Sequence, residues 1–171
     1  MTKSIDQLRL NVGFIIHQTV GYSREFHIDL PEVQIAPDLD LKNLVGSVHI
    51  TRTAKGLLMR GKLNSLINIQ CVRCLTEFLQ ALEIDFTELL AFSIDSAADS
   101  GMLVPESGII ELDQLVREEM LLAIPISPLC KLECHGLCPV CGEDRNINSC
   151  HHELEPIDPR LSVLKTLLEE D

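Results

Sequence analysis

The sequence predicts an α+β fold: an antiparallel β-sheet, a helix near 112–123, a cysteine-rich stapled segment and a C-terminal helix. Three observations carry this. Apolar residues recur with a period of two through much of residues 44–86, the spacing of a sheet that buries one face. Leu112, Leu115, Val116, Glu119 and Met120 then keep mainly helical spacing. Finally, five of the seven cysteines crowd into residues 130–150.

Residues 1–40 mix short apolar runs with Pro31 and Pro37 and read as strands and turns. From there the alternation is clear. Leu44, Gly46, Val48 and Ile50 share one face of a strand, with Val45, Ser47, His49 and Thr51 on the other. Lys55-Gly56 marks a turn. A long strand follows, with Met59, Gly61, Leu63, Ser65, Ile67 and Ile69 on an apolar face. Its other face, Arg60, Lys62, Asn64, Leu66, Asn68 and Gln70, is basic and amide-rich. Leu82, Ile84 and Phe86 continue the pattern after the turn at Cys71-x2-Cys74, so the strands form an antiparallel meander. Ser, Ala, Asp, Gly and Pro dominate residues 93–108 and predict a loop. Ile109-Ile110 suggests one more short strand, and the helix after it should stop before Pro125. Asp158-Pro159-Arg160 is a helix start, with a capping Asp and a Pro at the first helical position. Leu161, Leu164 and Leu168 form its apolar stripe. Glu169, Glu170 and Asp171 oppose the helix dipole, so its end should fray.

A chain of 171 residues, 46% apolar, suits one domain over 1–171 with a core of its own. Charge interrupts every apolar stretch before it could span a bilayer, and the N-terminus has no apolar signal region. The expected setting is a reducing, cytoplasmic one without membrane association. Seven cysteines there, an odd number, should not be disulfides.

The formal net charge is −12, which taken alone speaks against a nucleic-acid binder. Its distribution changes the picture. Residues 41–76 contain no Asp or Glu but hold Lys42, Arg52, Lys55, Arg60, Lys62 and Arg73. This is a basic segment in an acidic chain. It fits either a binding patch or a solvated face whose charges pair with acids elsewhere.

The cysteines run Cys130-x3-Cys134-x3-Cys138-x2-Cys141-x8-Cys150, followed by His151 and His152. Zinc takes four soft or borderline donors in a tetrahedron, and paired ligands on short turns supply them. In Cys138-Pro139-Val140-Cys141-Gly142 the turn brings two sulfurs to one ion, and Gly142 lets the chain fold back over them. Seven cysteines and one histidine make two complete sets. The preferred division gives Cys138, Cys141, Cys150 and His152 to one zinc, within a zinc-binding segment 130–152. Cys71, Cys74, Cys130 and Cys134 fall to a second, with His151 an alternative to His152 that spacing alone does not separate. Buried cysteines acting only as small core residues are the competing explanation. Closed spacings and a histidine favour zinc over an iron–sulfur cluster. His135 reads as a turn residue, and His17, His27 and His49 are isolated.

Several of these residues together resemble the YceD family of large ribosomal RNA subunit accumulation proteins, found in bacteria and plastids. They are Cys71-Val72-Arg73-Cys74-Leu75 after a strand, the run from Cys130 through Cys134-His135-Gly136-Leu137 to Cys138-Pro139-Val140-Cys141-Gly142, the Asn146-x-Asn148 pair and Asp158-Pro159-Arg160-Leu161. The resemblance spans roughly residues 40–171. Where many relatives carry Cys-x-Cys after the asparagine pair, this chain has Cys150-His151-His152, which favours His152 as the last ligand. Some relatives lack most of these cysteines, so the resemblance implies that metal supports the fold and is not the shared activity. It further implies a role in making or keeping large-subunit ribosomal RNA, and a plastid stroma location should the source carry plastids.

The function expected on these grounds is a non-enzymatic ribosome-biogenesis factor with structural zinc and no small-molecule substrate. Its partner would be large-subunit ribosomal RNA or its precursor, or a basic ribosomal protein. For RNA contact the candidates are Arg52, Lys55, Arg60, Lys62 and Arg73, with Asn64 and Asn68 as hydrogen-bonding support. An aromatic content of 4% and the lack of a known RNA-binding module weigh against direct contact. A zinc hydrolase or deaminase is the first alternative. His151-His152-Glu153 holds an H-x-E string, but downstream of the cysteine pair, the reverse of the deaminase order. A thiol redox protein is the second, yet antiparallel strands flank Cys71 where a βαβ context is needed.

Overall fold

The computed structural model describes residues 8–93, 102–150 and 152. The expected C-terminal helix over 158–171 lies outside these residues, as does His151. A short strand β1 (Arg9–Asn11) and a single helical turn α1 (Gly13–Ile16) precede four long strands. These are β2 (Ser23–Ile35), β3 (Leu39–Arg52), β4 (Gly56–Gln70) and β5 (Glu77–Ala91), paired antiparallel in sequence order. A two-residue strand β6 (Met102–Leu103) adds to β5 in parallel. β7 (Ile109–Glu111) pairs with β1, and helix α2 (Asp113–Ala123) follows.

The period-two pattern decides which face is buried. In β4, Met59, Gly61, Leu63, Ser65 and Ile67 are buried, while Arg60, Lys62, Asn64 and Asn68 are exposed. Leu82, Ile84 and Phe86 of β5 bury the same face, as expected. Over it lie Leu8, Leu10, Val12 and Ile15 from the N-terminal segment, and Leu112, Val116 and Met120 from α2, all in one apolar cluster. α2 ends at Ala123, just before Ile124-Pro125, where the proline imposes an extended backbone on its predecessor. Among the described residues, nothing buries the opposite face of β4, where Arg60, Lys62, Asn64 and Asn68 are exposed.

Three features depart from simple alternation. β3 carries a bulge between Lys42 and Val45, where Asn43 has φ 50°. The extra residue explains why Leu41 and Leu44, three apart, both point inward. Met102 and Leu103, assigned to a loop by composition, instead extend the sheet beside Leu90 and Ala91 and make it mixed. Two residues are too few to show a period, so the sequence carried no signal for them. Gly46 has φ 153°, and a Cβ there would lie 2.0 Å from the Lys62 carbonyl oxygen on the neighbouring strand. Gly46→Ala is expected to lower the free energy of unfolding by about 3 kcal/mol through strain and overpacking. Equilibrium urea unfolding measures this, and a change under about 0.5 kcal/mol, ordinary for a surface site, would contradict it.

Candidate metal centres

The first centre forms where β4 turns into β5. The Cys71 N–H donates to the Thr76 carbonyl at 3.0 Å and the Leu75 N–H to the Cys71 carbonyl at 2.9 Å. Leu75 adopts φ 60°, closing the reversal. Both sulfurs of Cys71-x2-Cys74 are thereby set on one side. The segment after α2 lies alongside, its Pro128 carbonyl accepting the Val72 N–H at 3.0 Å. It brings Cys130 and Cys134, so that the four Sγ atoms lie within 4.8 Å of one another. Cys71 Sγ is 3.8 Å from Cys134 Sγ, and Cys74 Sγ is 3.5 Å from Cys130 Sγ. A tetrahedron with metal–sulfur bonds of about 2.3 Å has edges of about 3.8 Å. A disulfide needs about 2.05 Å, so these contacts fit a shared ion and not a bond.

The second centre is built on a hairpin. Leu137 and Asp144 form an antiparallel bridge. The Cys138 N–H donates to the Glu143 carbonyl at 2.8 Å, and the Gly142 N–H to the Cys138 carbonyl at 2.9 Å. Gly142 at φ 76° makes the return that its place in the motif predicts. Cys138, Cys141, Cys150 and His152 have ligand atoms within 4.8 Å of one another. The two centres differ in exposure. In the first, Cys71, Cys74 and Cys134 are buried; in the second, Cys141 and His152 are exposed.

Thiol acidity follows the same geometry. Burial pushes the Cys71 thiol up, but backbone hydrogen bonds from Cys130, Cys74 and Arg73 outweigh it and bring it down to about 6. The Thr76 hydroxyl and backbone lower Cys74. Burial and the neighbouring cysteines push Cys130 up to about 12. In the second centre, backbone hydrogen bonds from Cys141 and Val140 bring Cys138 down to about 6, while its bond to Cys138, together with burial, raises Cys150 to about 11. Each group thus sets a thiol lowered by backbone N–H donors beside one raised by its neighbours, Cys71 with Cys130 and Cys138 with Cys150. Soft sulfur donors suit a thiophilic ion such as zinc and not magnesium or calcium. The residues present could hold two metal ions: the structure brings Cys71, Cys74, Cys130 and Cys134 together in one group and Cys138, Cys141, Cys150 and His152 in another.

Several supporting residues were not recognised from sequence. Asn146, visible there only as part of a motif, donates from Nδ2 to Cys134 Sγ at 3.4 Å and accepts the His135 N–H on Oδ1 at 3.0 Å. Cys74 Sγ lies 3.4 Å from Thr76 Oγ1. Gly136, at φ 69°, lets the chain pass against Arg73; a Cβ there would meet the Arg73 carbonyl oxygen at 3.0 Å.

The candidate RNA-contacting residues are dispersed. Arg52 lies 4.6 Å over the Phe92 ring and donates from Nε to the Ile16 carbonyl at 2.9 Å and from Nη1 to the Thr53 carbonyl. Lys55 is exposed in the β3–β4 turn. Arg73 is at the far end of β4, its Nη1 donating to the Cys134 carbonyl at 3.0 Å. The strand between these ends is 15 residues long, about 45 Å. Arg60 and Lys62 alone share the middle of the open face, and their rows are mixed. Arg60 aligns with Glu25, His49 and Thr87, and Lys62 with His27, Ser47 and Asp85. Lys62 Nζ lies 2.9 Å from Asp85 Oδ2. Asn68 is turned to Glu77, its Nδ2 donating to Oε2 at 3.1 Å.

No helix among the described residues is long and apolar enough to cross a membrane. No solved structure matches the chain. Uncharacterized proteins of Mycobacterium tuberculosis and Mycobacterium bovis are each 32% identical over 177 aligned residues, covering 98% of this chain and 81% of theirs. The uncharacterized protein YlbN of Bacillus subtilis is 32% identical over 105 residues, covering 60% of this chain and 61% of its own. The sequence profile of the family described as "Large ribosomal RNA subunit accumulation protein YceD" matches residues 59–168, from β4 onward and across both metal centres. The chain therefore belongs to the YceD family.

Proposed function

We propose that this chain is a non-enzymatic factor supporting the accumulation of large-subunit ribosomal RNA, with zinc as the structural ion of both centres. Family membership carries the reading. The donor sets support the structural role of the metal. Four protein ligands would complete a zinc tetrahedron in each centre, whereas a catalytic zinc keeps a position open for water or substrate. Bound zinc would cross-link the β4–β5 turn to the segment after α2, and the hairpin at Cys138 to Cys150 and His152.

The partner in this reading is a large-subunit precursor particle, met by the open face of the sheet. Arg60 and Lys62 offer cations to phosphate there, and Asn64 an amide. Replacing both cations, Arg60→Glu with Lys62→Glu, is expected to weaken co-sedimentation with large-subunit precursors several-fold at low salt and to flatten its salt dependence, since each phosphate contact releases a counterion. Stability should change by less than about 0.5 kcal/mol, as both side chains are exposed and the Lys62–Asp85 pair is a surface one. Unchanged, salt-sensitive association of the folded double mutant would exclude this face as the phosphate contact. The acids flanking these cations, Glu25 and Asp29 on β2 and Glu83 and Asp85 on β5, favour a second reading in which the contact is a basic ribosomal protein. In that case Glu83→Lys with Asp85→Lys would weaken association instead.

A further inference from the structure

A side chain from the hairpin of the second centre reaches the first, alongside the Leu137 N–H, which donates to the Arg73 carbonyl at 3.0 Å. Asn146 lies on the return limb of the hairpin, between Cys141 and Cys150 of the second centre. Its backbone N–H donates to Asp144 Oδ1 at 2.8 Å, and Asp144 in turn pairs with Leu137, next to Cys138. The Arg145 N–H donates to the Gly136 carbonyl at 3.0 Å. From this fixed position the amide reaches into the first centre, with Nδ2 3.4 Å from Cys134 Sγ and Oδ1 taking the His135 N–H. Asn148, two residues on, instead donates to Glu143 Oε2 at 3.2 Å.

We propose that Asn146 is a positioning residue that couples the two metal centres, so that an ion in the second strengthens the hold on the ion in the first. The physical reason is charge. Four thiolates around one divalent ion leave the first centre with a formal excess of two negative charges, and N–H donors to sulfur disperse it. One of those donors is supplied from the hairpin that the second ion closes. An unclosed hairpin releases Asn146, and Cys134 loses the donor. Coupling of this kind is reciprocal, so each ion strengthens the other by the same factor.

This inference rests on the reading of both groups as metal centres, and the test separates the two. The full-length protein is loaded with cadmium-113 and titrated with EDTA while both metal resonances are followed, the four-sulfur centre being distinct from the three-sulfur, one-nitrogen centre. In the unaltered protein the two resonances should disappear together. In Asn146→Ala they should disappear separately, the exposed second centre first, with the first centre weakened about ten- to hundredfold. Asn148→Ala should behave like the unaltered protein. Cys141→Ser, which opens the second centre at an exposed position, should weaken the first by the same factor as Asn146→Ala, and adding Asn146→Ala to it should weaken the first no further. Independent loss in the unaltered protein, or continued joint loss in Asn146→Ala, would overturn the coupling while leaving two centres standing. Absence of bound cadmium would overturn the metal reading and the coupling with it.

Discussion

The protein carrying Cys138→Ser and Cys141→Ser is expected to bind one zinc ion where the unaltered protein binds two. The hairpin around Leu137 and Asp144 is held by a single bridge and a few backbone hydrogen bonds, and two of its four candidate ligands are exposed. Among the described residues it has no apolar cluster of its own, so metal binding would supply most of its folding free energy, on the order of 10 kcal/mol in small metal-dependent peptides. Amide hydrogen exchange over residues 136–150 should therefore lose its protection, by about a hundredfold or more. The sheet should survive. Its apolar cluster contains no cysteine, and each fully buried Leu, Ile or Met in it contributes about 1.5–3 kcal/mol. Retention of both zinc ions by the double mutant would refute the ligand assignment.

Cys71→Ser and Cys130→Ser should behave alike, although 59 positions separate them in the sequence. Each removes one sulfur from the same group, in which Cys74 Sγ already lies 3.5 Å from Cys130 Sγ and Cys71 Sγ 3.8 Å from Cys134 Sγ. Each variant should lose one zinc equivalent and release the segment after α2 from the β4–β5 turn. The small cluster of Cys71, Cys74 and Cys134 with Phe78, Leu129 and Leu137 is separate from the main core and too small to hold this junction alone. With free zinc at a hundredfold excess over its dissociation constant, loss of the site withdraws about 2.7 kcal/mol of stabilisation, read as a lower thermal midpoint. Zinc loss from Cys130→Ser but not from Cys71→Ser would mean that Cys71-x2-Cys74 is only a buried turn.

Local rules made much of this legible. The alternation in β4 named most of its buried and exposed residues, with Leu66 and Ile69 half-buried, because a sheet with one covered face reads out polarity at every second position. The two clusters of candidate ligands were legible as far as their grouping goes, because cysteines paired on short turns leave few ways to divide them. What was not legible depends on pairing between distant strands. Nothing in residues 41–76 says that Asp85 stands opposite Lys62, so an acid-free segment became a mixed surface only once the register was known. Arg52 and Arg73 read as free cations but fold back onto carbonyls of Ile16 and Cys134. Asn146 gave no chemical signal, since a hydrogen bond to a sulfur twelve residues away in the chain has no periodicity to betray it. The bulge at Asn43 was missed for the opposite reason, being a single-residue break in an otherwise regular pattern.

The zinc content of the purified full-length protein, determined by native mass spectrometry beside thiol titration before and after chelation, tests the two-centre account most directly. The expected result is two zinc ions per chain, no reactive thiol in the loaded protein and seven after the metal is removed. A chain that carries no zinc, or one ion with three or four thiols freely reactive, would contradict it.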